Sequence, residues 1–272
     1  MNYRHAFHAG NVGDCVKHAL LVWLLRALQR KPAGLFVLDT HAGIGHYDLA
    51  GGPAARTGEA AAGILRLLAD PPAALADYVG LVQGLGLYPG SPAIARALLR
   101  PQDRLACCEL HPEDFATLRR EFSGDRQVAV HFRDAWEALR GLLPPPERRG
   151  LILVDPPYEA SDEFFRLADG LRLGHGRFPS GVFAAWYPIK HRAPVRAFHT
   201  ALRDGGISDI VAAELWLREP LDAARLNGCG LLVINPPYRF EAEAPPILAA
   251  LLERLGSREP GEGFSVERIT DE

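Results

Sequence analysis

The sequence lacks the usual marks of secreted, membrane-spanning and zinc-binding proteins. Its four cysteines form no CxxC pair, and two of them are adjacent inside an apolar run: Cys15, Cys107, Cys108 and Cys229. We therefore expect buried thiols rather than disulfides or a metal site. No run of about 18 apolar residues is present. Because the first residues are also polar, we expect a soluble cytoplasmic protein with no membrane anchor.

A strong excess of positive charge is also missing. The net charge of −3 argues against a large, uniform basic surface of the kind that dominates non-specific binding to nucleic acids. A local basic patch remains open. The candidates are Arg119-Arg120, Arg148-Arg149, and Lys190-His191-Arg192 with Arg196. For each of them an ordinary solvated surface is the simpler interpretation.

The most informative stretch is Leu151–Tyr158, in which four apolar residues run into Asp-Pro-Pro-Tyr. The apolar residues predict a buried strand, and the two prolines must end it because they lack N–H donors. The turn brings a carboxylate, a proline carbonyl and an aromatic ring to a strand end, where open α/β sheets bind ligands. Asp155 and the carbonyl of Pro156 can accept both N–H bonds of an exocyclic amine while Tyr158 stacks on its ring.

A second copy of this pattern, Asn235-Pro236-Pro237-Tyr238, follows another apolar run. A strand-ending loop without chemistry is an equally good reading of either copy in isolation. The direction of each strand decides between them, because only one edge of the sheet can hold the ligand.

An earlier strand, Leu35–Asp39, opens into the small-residue loop Ala42-Gly43-Ile44-Gly45. The loop lacks the third glycine of the dinucleotide fingerprint G-x-G-x-x-G. An acidic residue at the strand end followed by a small-Gly-x-Gly loop fits a site for S-adenosylmethionine (SAM) better, because that ligand has no pyrophosphate to bind.

Strands and helices alternate through most of the remaining chain, which predicts a parallel sheet with right-handed crossovers. Acidic residues end four successive predicted strands and should share one edge: Asp39, Glu109, Asp134 and Asp155. Residues 53–101 read instead as helices, with an N-cap expected at Ser91. We expect an inserted helical subdomain there, a lid, substrate platform or passive cap, with residues 1–52 and 102–272 forming the main domain.

The last two predicted strands, residues 208–217 and 230–235, have no crossover helix between them and should pair antiparallel. This reversal would place Asn235 on the edge opposite Asp155.

Near the N-terminus, apolar spacing predicts a helix from Asp14, its expected N-cap, to Gln29. Lys17 and His18 would then lie in the first turn. We expect Lys17 to be solvated, and we treat His18 as a candidate ligand.

The chain resembles the RlmJ-type large-subunit ribosomal RNA adenine-N6 methyltransferases over nearly its whole length. The matching segments are Tyr3–Asn11, Lys17-His18, Leu38–Gly43, Arg56–Glu59, Tyr88–Pro92, Glu109–Pro112, Arg149–Glu159 and Trp186–Pro188. The N-terminal string and Tyr-Pro-Gly-Ser-Pro are far more specific than Asp-Pro-Pro-Tyr. The resemblance implies a class I SAM-dependent methyltransferase fold: Rossmann-like, with a mostly parallel seven-stranded sheet, an antiparallel last strand and an inserted helical subdomain.

The resemblance also implies site residues. Cofactor contacts carry over onto His18, His41, Ser91, Glu109, Asp134, Ala135 and Asp155, and a substrate contact onto Tyr3. Where family members have Asp-Gly, this chain has Asp134-Ala135, which leaves a backbone contact possible and the fit around adenine open. A basic residue is usual at the position of His46.

The resemblance thus implies an enzyme that methylates the N6 amine of an adenine in large-subunit (23S) ribosomal RNA with SAM, and we expect it to be monomeric and to use no metal. Asp155, Pro156 and Tyr158 would hold the flipped-out base. Alternatives are a guanine-N2 or DNA adenine-N6 methyltransferase with the same motif, and a non-catalytic SAM- and RNA-binding protein.

Overall fold

The structure is a computed structural model that describes residues 5–271. The helices are α1 (Val12–Gln29), α2 (Gly52–Thr57), α3 (Glu59–Ala62), α4 (Ile64–Ala69), α5 (Ala76–Leu85), α6 (Ser91–Leu98), α7 (Pro112–Glu121), α8 (Ala135–Gly141), α9 (Glu163–Arg177), α10 (Arg192–Asp204) and α11 (Phe240–Leu255). The strands are β1 (Phe36–Asp39), β2 (His46–Tyr47), β3 (Tyr88–Pro89), β4 (Arg104–Glu109), β5 (Val128–Phe132), β6 (Gly150–Val154), β7 (Val182–Ile189), β8 (Ile210–Trp216), β9 (Gly228–Ile234) and β10 (Gly263–Thr270).

One large sheet has the strand order β10-β8-β9-β7-β6-β1-β4-β5. The strands from β7 to β5 in this order are parallel, whereas β9 runs antiparallel to β7 and β8. The mostly parallel sheet and its reversed strand confirm the prediction. The sheet has eight strands rather than seven, because β10 adds an antiparallel strand beside β8.

Helices cover both faces of this sheet, and alternate residues of the buried strands point into two separate cores. Leu151 and Leu153 of β6 pack into the core that includes α1, α6 and α11. Ile152 and Val154 pack into the core that includes α8, α9 and α10. The result is a three-layer α/β/α architecture, and all four cysteines are buried free thiols as expected.

The first helix begins earlier than the sequence indicated. Its N-cap is Asn11, whose side chain accepts a hydrogen bond from the backbone N–H of Asp14. The expected N-cap at Asp14 is therefore wrong. Lys17 and His18 lie in the second turn, since the helix starts at Val12 and has 3.6 residues per turn.

Between β1 and β4 the chain is mainly helical, with β2 and β3 forming a small antiparallel pair. Gly90, and not the expected Ser91, is the N-cap of α6. Within this helical region the chain is broken at Gly63, between α3 and α4. A Cβ atom on Gly63 would lie 2.1 Å from the carbonyl oxygen of Gly10, which accepts a hydrogen bond from the N–H of Ile64 at 2.9 Å.

Candidate functional site

A cavity of about 700 Å³ opens at the carboxyl edge of the parallel strands. Nearly every residue that the sequence singled out lines it. Those lining residues are His18, His41, Ser91, Glu109, Asp134, Ala135, Asp155, Pro156 and Tyr158. The fold thus brings together side chains from α1, the loop after β1, α6 and the ends of β4, β5 and β6. The remaining candidate, Tyr3, lies outside the described residues.

The Asp155 carboxylate is held by a buried ion-pair cluster that sequence reasoning missed. Lys17 Nζ lies 2.6 Å from Asp155 Oδ2 and 2.9 Å from Asp14 Oδ1. Lys17 and Asp14 are only 4% and 2% exposed, so the prediction of a solvated lysine is wrong. Burial opposes the lysine charge, but the two carboxylates outweigh it and raise the pKa of Lys17 well above its usual value.

The cluster also connects to the N-terminal segment. Asp14 Oδ2 accepts a hydrogen bond from the backbone N–H of Gly10 at 2.9 Å. Two further side chains of this segment, His8 and Asn11, bind the carboxylate of Glu59 in α3 at 2.8 and 3.0 Å. Residues near the start of the chain are therefore fixed against the cavity by specific polar contacts.

His41 lies beside the Asp155 turn, since its Nδ1 accepts a hydrogen bond from the backbone N–H of Asp155 at 3.3 Å. Burial lowers the pKa of His41 to about 4, so the ring is neutral at pH 7. Just below the loop, burial raises the pKa of Asp39 to about 6. The backbone N–H of His41 donates to an oxygen of Asp39 at 3.3 Å, and this hydrogen bond partly opposes the effect of burial on the pKa of Asp39.

The glycine loop and Glu109 meet at the carboxyl ends of the adjacent strands β1 and β4. The Glu109 carboxylate accepts hydrogen bonds from the backbone N–H groups of Gly43 and His111, both at 2.8 Å. Gly43 has a left-handed φ of +63°, and a Cβ there would lie 2.3 Å from the hydroxyl of Tyr47. The position thus requires glycine on both conformational and steric grounds.

Tyr158 ends the Asp-Pro-Pro-Tyr turn in an uncommon conformation, with a φ of +53°. Its hydroxyl donates to the carbonyl oxygen of Trp186 at 2.9 Å, and its ring packs against Trp186 and Phe164 with centroid distances of 5.9 and 5.2 Å. Residues held in strained backbone conformations cluster at functional sites. The ring is therefore fixed at the cavity wall rather than free to rotate.

The second motif lies at the opposite edge of the sheet. Ile234, directly before Asn235, pairs with Phe183 near the start of β7, whereas Val154, directly before Asp155, pairs with Ala185 further along that strand. The Asn235 side chain donates to backbone carbonyls of residues 179 and 181, and Tyr238 is 86% exposed. The strand reversal thus excludes this copy from the cavity, as the sequence predicted.

The cavity lining is rich in carboxylates. Its acidic residues are Asp14, Glu59, Glu109, Asp114, Asp134, Asp155, Glu159 and Glu163, and its lysines and arginines are Lys17, Arg133, Arg166 and Lys190. Such a lining favours a ligand that carries positive charge. Within residues 5–271, no group of three or more His, Cys, Asp or Glu side chains is arranged to hold a metal ion, and no helix is long and apolar enough to cross a membrane.

Comparisons with known proteins agree with this geometry. A model of the family described as ribosomal RNA large subunit methyltransferase D, RlmJ, matches residues 32–269. The chain is similar to ribosomal RNA large subunit methyltransferase J of Haemophilus influenzae, with 39% identity over the full length of both proteins, and to that of Escherichia coli, with 40% identity over 94% of each.

Among solved structures, protein LPL1258 of Legionella pneumophila superposes with a TM-score of 0.87 at 35% identity, covering 96% of this chain and 98% of that one. The similarity therefore extends through both the sheet and the helices between β1 and β4. The expected fold class, an α/β methyltransferase fold with a mixed sheet, is confirmed. The chain belongs to the RlmJ family of ribosomal RNA large subunit methyltransferases.

Proposed function

We propose that this enzyme transfers a methyl group from SAM to the N6 amine of an adenine in 23S ribosomal RNA, and that Asp155, Pro156 and Tyr158 hold the flipped-out base. Family membership supports the reaction class and the RNA substrate. The observation that carries the finer proposal is the position of the Asp155 turn, at the end of β6 inside the cavity.

The lining residues fit SAM. An acidic cavity complements its sulfonium and amino groups, and the cavity volume of about 700 Å³ accommodates a nucleoside. When bound there, SAM would supply an electrophilic methyl group. The residues that would hold it are His18, His41, Ser91, Glu109, Asp134, Ala135 and Asp155.

Two of these carboxylates have oxygens suited to a nucleoside. Glu109 is oriented by the backbone N–H groups of Gly43 and His111, and its remaining lone pairs can accept ribose hydroxyls. Asp134 caps α8 through Oδ1, which accepts from the backbone N–H of Trp136 at 2.9 Å. Its second oxygen can accept the adenine amine of the cofactor.

The Asp155 turn is suited to binding the substrate amine. Lys17 holds Oδ2 of Asp155, while Oδ1 and the carbonyl of Pro156 accept no hydrogen bond from other described residues. These two oxygens can accept both N–H bonds of the amine and aim its lone pair at the methyl group. Asp155 then accepts the proton that the amine loses.

Tyr158 is the proposed stacking surface for the base. Its hydroxyl bond to Trp186 fixes the ring, and base–aromatic stacking is worth about 1–3 kcal/mol. Adenine must leave its helical stack to reach the turn. Tyr3 is proposed as a further substrate contact.

Three further assignments belong to this proposal. Residues 53–101 would form an inserted helical subdomain beside the cavity, although α6 packs against β1 and β4 as part of the main layer. The enzyme would act as a monomer. It would work in the cytoplasm, where ribosomal RNA is modified.

The test is methyl transfer from isotopically labelled SAM to 23S ribosomal RNA isolated from cells that lack the enzyme, followed by digestion to nucleosides and mass spectrometry. The proposal predicts label in N6-methyladenosine. Label in N2-methylguanosine, or transfer only to DNA, would identify one of the rival enzymes. SAM binding without transfer to any nucleic acid would indicate the non-catalytic alternative.

A further inference from the structure

The strand directions separate the three basic clusters of the sequence. Helix α7 runs from the end of β4 back to the start of β5, so Arg119-Arg120 in its last turn lie at the edge opposite the cavity. Arg149 directly precedes β6 and lies at the same far edge, where its guanidinium donates to the carbonyls of Leu28 and Ala33 at 2.7 and 3.1 Å. Neither cluster lines the cavity.

The third cluster follows the carboxyl end of β7 and therefore lies at the cavity edge. Lys190 is exposed and lines the cavity itself. Arg196 is exposed in the second turn of α10. Within residues 5–271, neither side chain makes an ion pair, so both charges are available to an anionic ligand.

Arg192 of the same cluster has a different role. Its guanidinium pairs with the buried carboxylate of Glu214 and lies 4.2 Å from the ring centroid of Trp216. These contacts hold the start of α10 against β8. Lys190 is fixed in a similar way, because the buried amide of Asn227 donates to its carbonyl oxygen at 2.7 Å.

Charge around the cavity favours approach from this side. The β4 and β5 side of the lining carries the carboxylates Asp114 and Asp134, which would repel phosphates, and one half-buried arginine, Arg133. Arg166 is partly neutralised by Glu163 at 3.5 Å and packs over Trp136. Lys190 and Arg196 thus supply exposed positive charge on the β7 side of the cavity edge, and neither is paired with a carboxylate of residues 5–271.

We propose that Lys190 and Arg196 bind backbone phosphates that flank the target adenine. This inference rests on the proposed function and names the surface by which that RNA is held. Phosphate contacts position a nucleic acid without reading its sequence. These contacts would place the unstacked nucleotide next to the Asp155 turn. Leu226 in the β8–β9 loop lies at the cavity wall and is 43% exposed, so it would face the adjoining sugar or base.

The experiment compares Lys190→Ala, Arg196→Ala and the double variant with two controls, Arg120→Ala and Arg148→Ala, which remove exposed arginines at the far edge. KM for an RNA fragment that contains the target is measured with saturating labelled SAM at several salt concentrations. Each single variant at the cavity edge should raise KM about 3- to 10-fold. Each should also reduce the slope of log affinity against log salt by about 1.

Both controls should behave like the unmodified protein. Thermal unfolding and calorimetric titration with SAM establish that every variant is folded. Unchanged KM and salt slope in the double variant, or equal losses in the controls, would overturn the assignment even if the protein methylates RNA. If the unmodified protein transfers no methyl group, fluorescence anisotropy with labelled RNA still tests this surface, because phosphate binding does not require turnover.

Discussion

Replacing Lys17 by methionine tests the buried cluster that holds Asp155. The change keeps the apolar stem and removes the cation between Asp14 and Asp155, whose oxygens lie 2.9 and 2.6 Å from Nζ. Because Asp14 and Lys17 are almost inaccessible to solvent, water cannot replace the lost interaction. Breaking a buried ion pair from one side costs about 3–5 kcal/mol, and we expect a loss of that size in the free energy of unfolding.

The matched control is Arg26→Met. Arg26 and Asp77 form an ion pair at 2.9 Å, but both side chains are about half exposed, at 51% and 54%. Such surface pairs contribute about 0–1 kcal/mol. Urea denaturation followed by circular dichroism at pH 7 measures both variants against the unmodified protein.

The pH dependence gives a second readout. Without Lys17, burial should raise the pKa of Asp14 above its unfolded value. The folded state then binds a proton more readily than the unfolded chain, so the deficit of Lys17→Met should shrink as the pH falls through the raised pKa. A deficit no larger than that of Arg26→Met, or one that does not change between pH 7 and pH 5, would refute this account of the cluster.

Asp155→Asn should reduce methyl transfer about 100-fold or more without loss of the circular dichroism signal; turnover within about tenfold of normal would remove Asp155 from the reaction. Gly43→Ala should destabilise the protein more than Gly58→Ala. Both substitutions place alanine at a left-handed φ, which costs about 1–2 kcal/mol, but only the first also places a Cβ against Tyr47. Equal urea midpoints would contradict this difference. As the pH is lowered from 6.5 to about 4, the unfolded chain binds a proton at His41 before the folded protein does. The free energy of unfolding should therefore decrease as the pH is lowered through this range. His41→Asn should remove this contribution to the pH dependence of stability. Parallel curves of unfolding free energy against pH for the variant and the original protein would rule the contribution out.

Most of the sheet could be predicted because buried parallel strands are continuous apolar runs that end in polar residues. Leu151–Val154 became β6 with Asp155 at its end, and the same reasoning found β1, β4 and β5. The choice between the two Pro-Pro-Tyr motifs also followed from the sequence, since the missing crossover helix before residues 230–235 required a reversed strand. The parallel direction of these strands, which the sequence predicted, brings several strand ends to one edge of the sheet.

The remaining features depend on tertiary contacts that local patterns do not contain. Lys17 reads as a surface residue because its partner Asp155 lies 138 positions away in sequence. Aspartate and asparagine are equally favoured at the N-cap, so the sequence alone does not distinguish Asp14 from Asn11. In the structure the Asp14 side chain instead accepts a hydrogen bond from Gly10 and pairs with Lys17.

Two elements that were not predicted have unfavourable local sequences. Strand β10 carries Glu267 and Arg268 at the edge of the sheet, where charged residues protect against further pairing but obscure the alternation of a strand. Helix α11 contains Pro245 and Pro246 within its first two turns, where propensity argues against a helix. Packing of its apolar face against β8, β10 and α1 outweighs that preference.

The break at Gly63 has a consequence for protein engineering. Helix propensity would favour alanine at this position, and fusing α3 with α4 into one longer helix is a standard route to a more thermostable variant. Here the Gly10 carbonyl occupies the space of the missing methyl group. Such a fusion would displace the backbone of Gly10 and Asn11, so a design protocol that scores helices in isolation would select the wrong residue.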